Sequence, residues 1–303
     1  MKDQAEKLRQ IIENLKLKQA AIQQEVPPVP VKRNARVITV TSGKGGVGKT
    51  NVTVNLAIAL SQLGLRVTIL DADFGLANID VLFGIIPKNT LVDVIYGKKN
   101  IFEVLSDGPN NIKFISGGSG VEDLVKLDKQ QVEKFVENIA LLDKLSDIIL
   151  IDTAAGLSDH VMSFVMAADE VLLITTPEPT SITDAYALVK MVANRDKEKK
   201  IQVIVNRAES EYEANDIMNK LSMVADRFLN LKLMPFGYIM QDENVMRAVK
   251  MQQPFSLSFP KSAATKSITE ISKKIAQIGE EKIDNGSTGI KGFIGRLLRF
   301  TNT

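Results

Sequence analysis

Short apolar runs alternate with longer stretches of helical spacing from about Arg36 to Lys282. The runs VITVTS, RVTILDAD, IKFIS, DIILID, EVLLIT, IQVIVN and MPFGYI are four to eight residues long and rich in Val and Ile. Most show no polar alternation, which is the pattern of strands buried on both faces. Helices fit between them. Asn51 to Leu63 carries Val54, Leu56, Ala57, Leu60 and Leu63 at helical spacing, and Ser181 to Val192 follows the Pro177/Pro179 turn. Repeated strand–helix units predict an α/β, doubly wound fold with a mostly parallel central sheet flanked by helices. Two segments look appended to this body. VPPVP, with Pro27, Pro28 and Pro30, enforces an extended linker, and IDNGSTG marks a second joint. The expected division is 1–31, 32–282 and 283–303.

Composition narrows the function classes. Across 303 residues, 38 Lys+Arg stand against 36 Asp+Glu, a net charge of +2. No whole-chain basic footprint exists, so no specific nucleic-acid partner is expected. Cysteine is absent, which excludes disulfides, thiolate zinc sites, cysteine nucleophiles and thiolate-held iron–sulfur clusters. No run approaches a transmembrane length, and MKDQAEKLRQ is charged where a signal peptide needs an apolar region. A cytoplasmic protein is expected.

The strongest chemical signal follows the first strand. GKGGVGKT satisfies G-x-x-x-x-G-K-[ST] through Gly43, Gly48, Lys49 and Thr50, and a helix begins at once. Gly45, Gly46, Val47 and Asn51 complete the loop as nucleotide-binding positions. Such a loop turns backbone N–H groups onto phosphate oxygens, its lysine reaches the β- and γ-phosphates, and its hydroxyl ligates Mg²⁺. DIILID ends in Asp152, an acidic strand end of the kind that holds Mg²⁺. RVTILDAD ends in Asp71 and Asp73, two apart, so both carboxylates can face the nucleotide edge. One could organise the metal shell and the other position the attacking water. No Asn-Lys-x-Asp guanine signature occurs, which favours adenine. His160 lies in a helical apolar stretch and receives no metal role; Met162, Met166 and Met191 fit core filling.

KGGVGKT, with an additional lysine at Lys44, resembles the deviant phosphate loop of the MinD/ParA ATPases. LDADFGLANID, IDTAAG, VNR and PFGYIMQDENVMRAV follow in the family's order, so the resemblance spans Arg36 to about Ile278. It implies that Lys44 reaches a partner subunit's nucleotide in an ATP-dependent homodimer, Asp73 activates water, Asp152 serves the metal and Asn206 contacts adenine, which leaves Asp71, with Thr50, for the metal shell. Asn51 departs from the second Thr of many relatives. Asp159 to Lys190 and the opening DQAEKLR resemble the flagellar-number regulators close to MinD. Septum-placing MinD proper and ParA-type DNA segregation stay open as alternatives, as does an adaptor with negligible turnover.

The two ends carry their own patterns. Ile290, Phe293, Ile294, Leu297 and Leu298 form one apolar stripe, with Lys291, Arg296 and Arg299 on other faces. A short basic amphipathic helix on a joint is expected to anchor reversibly on an anionic membrane surface, placing the protein peripherally at the inner face of the cell membrane. At the other end Asp3 and Glu6 form a capping pair ahead of Leu8, Ile11, Ile12 and Leu15. This segment is expected to bind a partner. The resemblance implies that Asp3, Gln4, Glu6 and Arg9 stimulate an FlhF-type signal-recognition GTPase, with flagellar basal-body C-ring components as further partners.

Overall fold

A computed structural model describes residues 34–73, 78–118, 128–278 and 289–301. Asp3, Gln4, Glu6 and Arg9 lie outside the described residues. Among the described residues, eight strands make one sheet in the order β3-β4-β2-β5-β1-β6-β7-β8. They are β1 (Arg36–Thr41), β2 (Val67–Ala72), β3 (Ser106–Asp107), β4 (Lys113–Ile115), β5 (Ile148–Thr153), β6 (Glu170–Thr175), β7 (Ile201–Ala208) and β8 (Leu233–Met240). Every pairing is parallel except β3 with β4, a two-residue edge too short to leave a hydropathy signal.

The strands read as unbroken apolar runs because both faces are covered. Ile149 and Ile151 of β5 point into one core, Ile148 and Leu150 into the other. On the second face lie α1 (Lys49–Gln62), α2 (Ile79–Phe83), α10 (Glu243–Lys250), α11 (Phe255–Ser258) and α12 (Ala263–Ile278). The first face carries α3 (Leu91–Ile95), α4 (Ile101–Val104), α5 (Lys129–Ile139), α6 (Leu142–Leu145), α7 (Asp159–Ala167), α8 (Pro179–Arg195), α9 (Glu211–Leu229) and α13 (Gly289–Thr301). Helix α8 extends the expected Ser181–Val192 span at both ends. Pro179 suits a first helical turn, where its missing N–H has no partner to lose.

The C-terminal stripe is where the architecture departs most from expectation. Instead of projecting from a joint, α13 lies on the body: Ile290, Phe293, Ile294 and Leu297 are buried in the first-face core, and Leu298 packs against it half-buried. The Phe293 ring sits 6.0 Å from that of Phe164 on α7. At its start, the Ile290 amide donates to Asp143 Oδ1 of α6 at 2.9 Å, and the same oxygen accepts the Ala35 amide at 3.2 Å. Further along, Arg296 donates through Nε to Ala167 O at 2.7 Å and through Nη2 to Asp169 at 2.8 Å. Lys199 Nζ donates to the neighbouring carbonyls of Met166 and Ala168. Two cations thus satisfy the orphan carbonyls at the C-terminus of α7, where the helix dipole favours positive charge. Burial pushes the Lys199 ammonium down to about 8. Arg296, expected on the solvent side of an anchor, is a docking residue. Periodicity marks an apolar stripe; it does not say what covers it.

Since Phe293 is fully buried, Phe293→Ala should lower stability by about 3–5 kcal/mol if α13 unfolds with the body. Denaturant unfolding checks this, and a near-zero change would mean that α13 detaches at little cost.

Candidate functional site

The loop from Gly43 to Lys49 joins β1 to α1, and close packing dictates Gly43 and Gly48. A Cβ on Gly43 would lie 2.3 Å from the Asp184 carbonyl oxygen of α8. Gly46 and Gly48 take φ of 78° and 90°, and a Cβ on Gly48 would lie 2.5 Å from Asn206 Nδ2. Left-handed glycines in such a loop turn successive amides to one side, as an anion nest requires.

Beneath the loop, Asp152 at the end of β5 is fully buried and collects three donors. Lys49 Nζ lies 2.9 Å from Oδ1, Thr53 Oγ1 2.9 Å from the same oxygen, and Thr50 Oγ1 2.7 Å from Oδ2. The metal-binding hydroxyl and the phosphate-binding lysine expected from the motif are therefore held by one carboxylate. Thr53 was not among the expected site residues. Its signal was a hydroxyl one turn after Lys49 on a helix face otherwise apolar.

Strand pairing places Asp71 of β2 opposite Asp152. Burial first, then the charge of Asp152, pushes the Asp71 carboxyl up to about 7, against the amide bonds from Asp73, Ile79 and Asn78 that favour the anion. Those amides lie 3.0, 3.4 and 3.3 Å from its oxygens. Asp71 thus holds Asp73 on one side and Asn78 and Ile79 on the other. Asp73 is half-buried, and residues 74–77 are outside the described set.

Lys44 folds back on its own subunit. Its Nζ lies 3.0 Å from Glu178 Oε2 and 2.7 Å from Thr180 Oγ1, at the N-terminus of α8. Lys44 holds the Glu178 carboxyl below the usual range. The resemblance implied a contact across a dimer; in the single chain this lysine is engaged in cis.

A cleft of about 440 Å³ opens beside the loop, lined among others by Gly48, Asn51, Asn206, Met246, Val249 and Phe255. Asn206 Nδ2 donates to Val47 O at 2.7 Å, and Arg207 Nη2 to Gly46 O at 2.9 Å. The apolar walls from α10 and α11 suit a flat base, with Asn206 as the polar group that orients it. Arg207, Glu178 and Thr180 join Thr53 as functional positions that spacing alone does not reveal. By contrast α13 begins beside Ala35, at the end of β1 opposite the phosphate loop.

The donor set fits Mg²⁺: a hydroxyl and two carboxylates are hard oxygen ligands. Thr50, with Asp152 and Asp71 acting directly or through water, would hold the ion, which neutralises charge on the β- and γ-phosphates. Two adjacent buried carboxylates, one driven toward its neutral form, are the electrostatic signature of a site suited to a cation.

A strand–glycine loop–helix cradle with an acidic strand end and a base cleft defines a P-loop nucleotide-binding protein. The family model described as ParA, NUBPL iron-transfer P-loop NTPase, matches residues 33–276, and the chain belongs to this family of P-loop ATPases. The iron-transfer part of that description is not carried over, since this sequence has no cysteine. More particularly, the chain is 45% identical over 240 residues to the antiactivator FleN of Pseudomonas aeruginosa, covering 79% of this chain and 86% of that one. It is 32% identical over 272 residues to the flagellum site-determining protein YlxH of Helicobacter pylori, covering 89% and 92%. Among solved structures, the septum site-determining protein MinD of Pyrococcus horikoshii, complexed with Mg-ADP, is similar with a TM-score of 0.64 at 26% identity, covering 82% of this chain and 100% of that one.

An unfolded chain releases the Asp71 proton near 4, whereas the folded protein keeps it to about 7. The folded state therefore binds more protons in that window, and this group subtracts stability as pH rises through it. Thermal melts without Mg²⁺ between pH 5 and 8 should show a flatter profile for Asp71→Asn than for wild type. Parallel profiles would remove Asp71 as the titrating group.

Proposed function

We propose that this ATPase regulates flagellar number and placement by cycling between a closed monomer and an ATP-bound, membrane-associated dimer. The names of FleN and YlxH support the flagellar role. The observation that carries the switch is the seat of α13 on α7, because α7 begins at Asp159, with two residues between it and the Asp152–Gly156 segment beneath the phosphate loop. The Gly156 amide also donates to Ser42 O at 2.9 Å.

Mg²⁺·ATP competes with Asp152 for Lys49 and Thr50. Lys44 leaves Glu178 for the nucleotide of a second subunit, Asp73 positions the attacking water, and Asn206 Oδ1 accepts the amino group of adenine. Displacement of the Asp152–Gly156 segment shifts α7 and frees the stripe of Ile290, Phe293, Ile294, Leu297 and Leu298 for an anionic bilayer. One short stripe gives marginal binding; two, held by a dimer, gain by avidity. The N-terminal residues Asp3, Gln4, Glu6 and Arg9 act on an FlhF-type GTPase, and C-ring components are further partners. ATP thus gates access to the anchor as well as its pairing.

Sedimentation with anionic liposomes should require ATP, fail with ADP, and fail for Lys44→Ala. Because pairing alone does not undock α13, a constitutive dimeriser fused to Lys44→Ala should leave liposome binding absent without nucleotide and restore it only with ATP. Binding restored without nucleotide would make avidity alone the switch. In cells lacking the native gene, wild type should restore flagellar number where Lys44→Ala does not; equal restoration would remove the cross-subunit role.

A further inference from the structure

Successive side chains of an extended strand leave on opposite faces, so Asn206 and Arg207 of β7 should point apart. Both instead donate to the phosphate loop, to Val47 O and Gly46 O. The cause lies in the backbone. Arg207 takes φ of 59°, and the register between β7 and β8 shifts between Asn206 and Ala208. A left-handed residue in a bulge re-aims a side chain, and for a long non-glycine residue that conformation is uncommon and survives only where the surroundings fix it.

The two accepting carbonyls belong to consecutive peptide units. In a trans peptide the C=O of one residue and the N–H of the next point in opposite directions. Holding Gly46 C=O and Val47 C=O against β7 therefore aims the amides of Val47 and Gly48 away from it. With Gly46 and Gly48 both at positive φ, the loop is held in an anion-binding form before any anion arrives. We propose that Asn206 and Arg207 form a carbonyl clasp that presets the phosphate loop, making Arg207 a positioning residue for nucleotide binding. This rests on the assignment of residues 43–50 as a phosphate loop. Asn206 serves twice, with its amide nitrogen on the loop and its oxygen toward the base.

The test uses the full chain and three probes: inorganic tripolyphosphate, ADP and adenosine, each measured by competition with a fluorescent nucleotide. Arg207→Gly keeps the left-handed backbone at no steric cost and removes the side chain with its guanidinium. It should weaken tripolyphosphate and ADP by the same factor, about three- to tenfold for one lost hydrogen bond, and leave adenosine unchanged. In the ligand-free protein, hydrogen exchange at the Val47 and Gly48 amides should speed up in the variant. Lost tripolyphosphate affinity with unchanged exchange would show direct phosphate contact and overturn the clasp. Weakened adenosine binding alone would put Arg207 on the base, and no change in any probe would leave the clasp without a role. A wild-type protein that binds neither tripolyphosphate nor ADP would overturn the phosphate-loop assignment itself, a result distinct from all the others.

Discussion

One buried carboxylate organises this molecule. Asp152 is fully enclosed, and a buried charge persists only when paired and hydrogen-bonded. Its partners Lys49, Thr50 and Thr53 all come from the first turns of α1, so the ion pair pins the phosphate loop to the central strands. Burial, and then the same carboxylate across the β2–β5 ladder, raise the proton affinity of Asp71, which in turn accepts the Asp73 amide. In the proposed cycle, a ligand that claims Lys49 and Thr50 acts on Asp152, and through it on β5 and the segment leading toward α7.

In the proposed cycle, that segment links the nucleotide edge to the far end of the sheet. Helix α7 carries the seat of Phe293, and its C-terminal carbonyls are held by Arg296 and Lys199. Leaving the seat exposes apolar surface and removes a cation from a helix C-terminus, so undocking needs a compensating surface. A bilayer offers both an apolar interior and, when anionic, partners for Arg296 and Arg299. The account thus joins a chemical event at Asp152 to an interfacial one through a single helix.

Much of this was legible in the sequence, for identifiable reasons. The central strands showed themselves because a sheet covered on both faces needs unbroken apolar runs, as in Ile148 to Ile151. The phosphate loop was legible because close neighbours at Gly43 and Gly48 and positive φ at Gly46 and Gly48 admit few other residues. What stayed hidden depends on contacts between distant positions. Lys44 meets Glu178 across 134 residues of sequence, and no local pattern announces such a partner. The left-handed turn at Arg207 sits in a run that spells an ordinary strand. The terminal stripe was visible as a stripe, yet the same five residues suit a bilayer or a groove on α7, and periodicity is identical in both.

The central claim is that ATP, through Asp152 and α7, releases α13. Hydrogen–deuterium exchange over residues 289–301 of Asp73→Ala, compared in saturating Mg²⁺·ATP and Mg²⁺·ADP without lipid, tests it most directly. Blocked hydrolysis should hold the ATP state, so the account predicts strong protection with ADP and its loss with ATP. Equal protection in both states would contradict it.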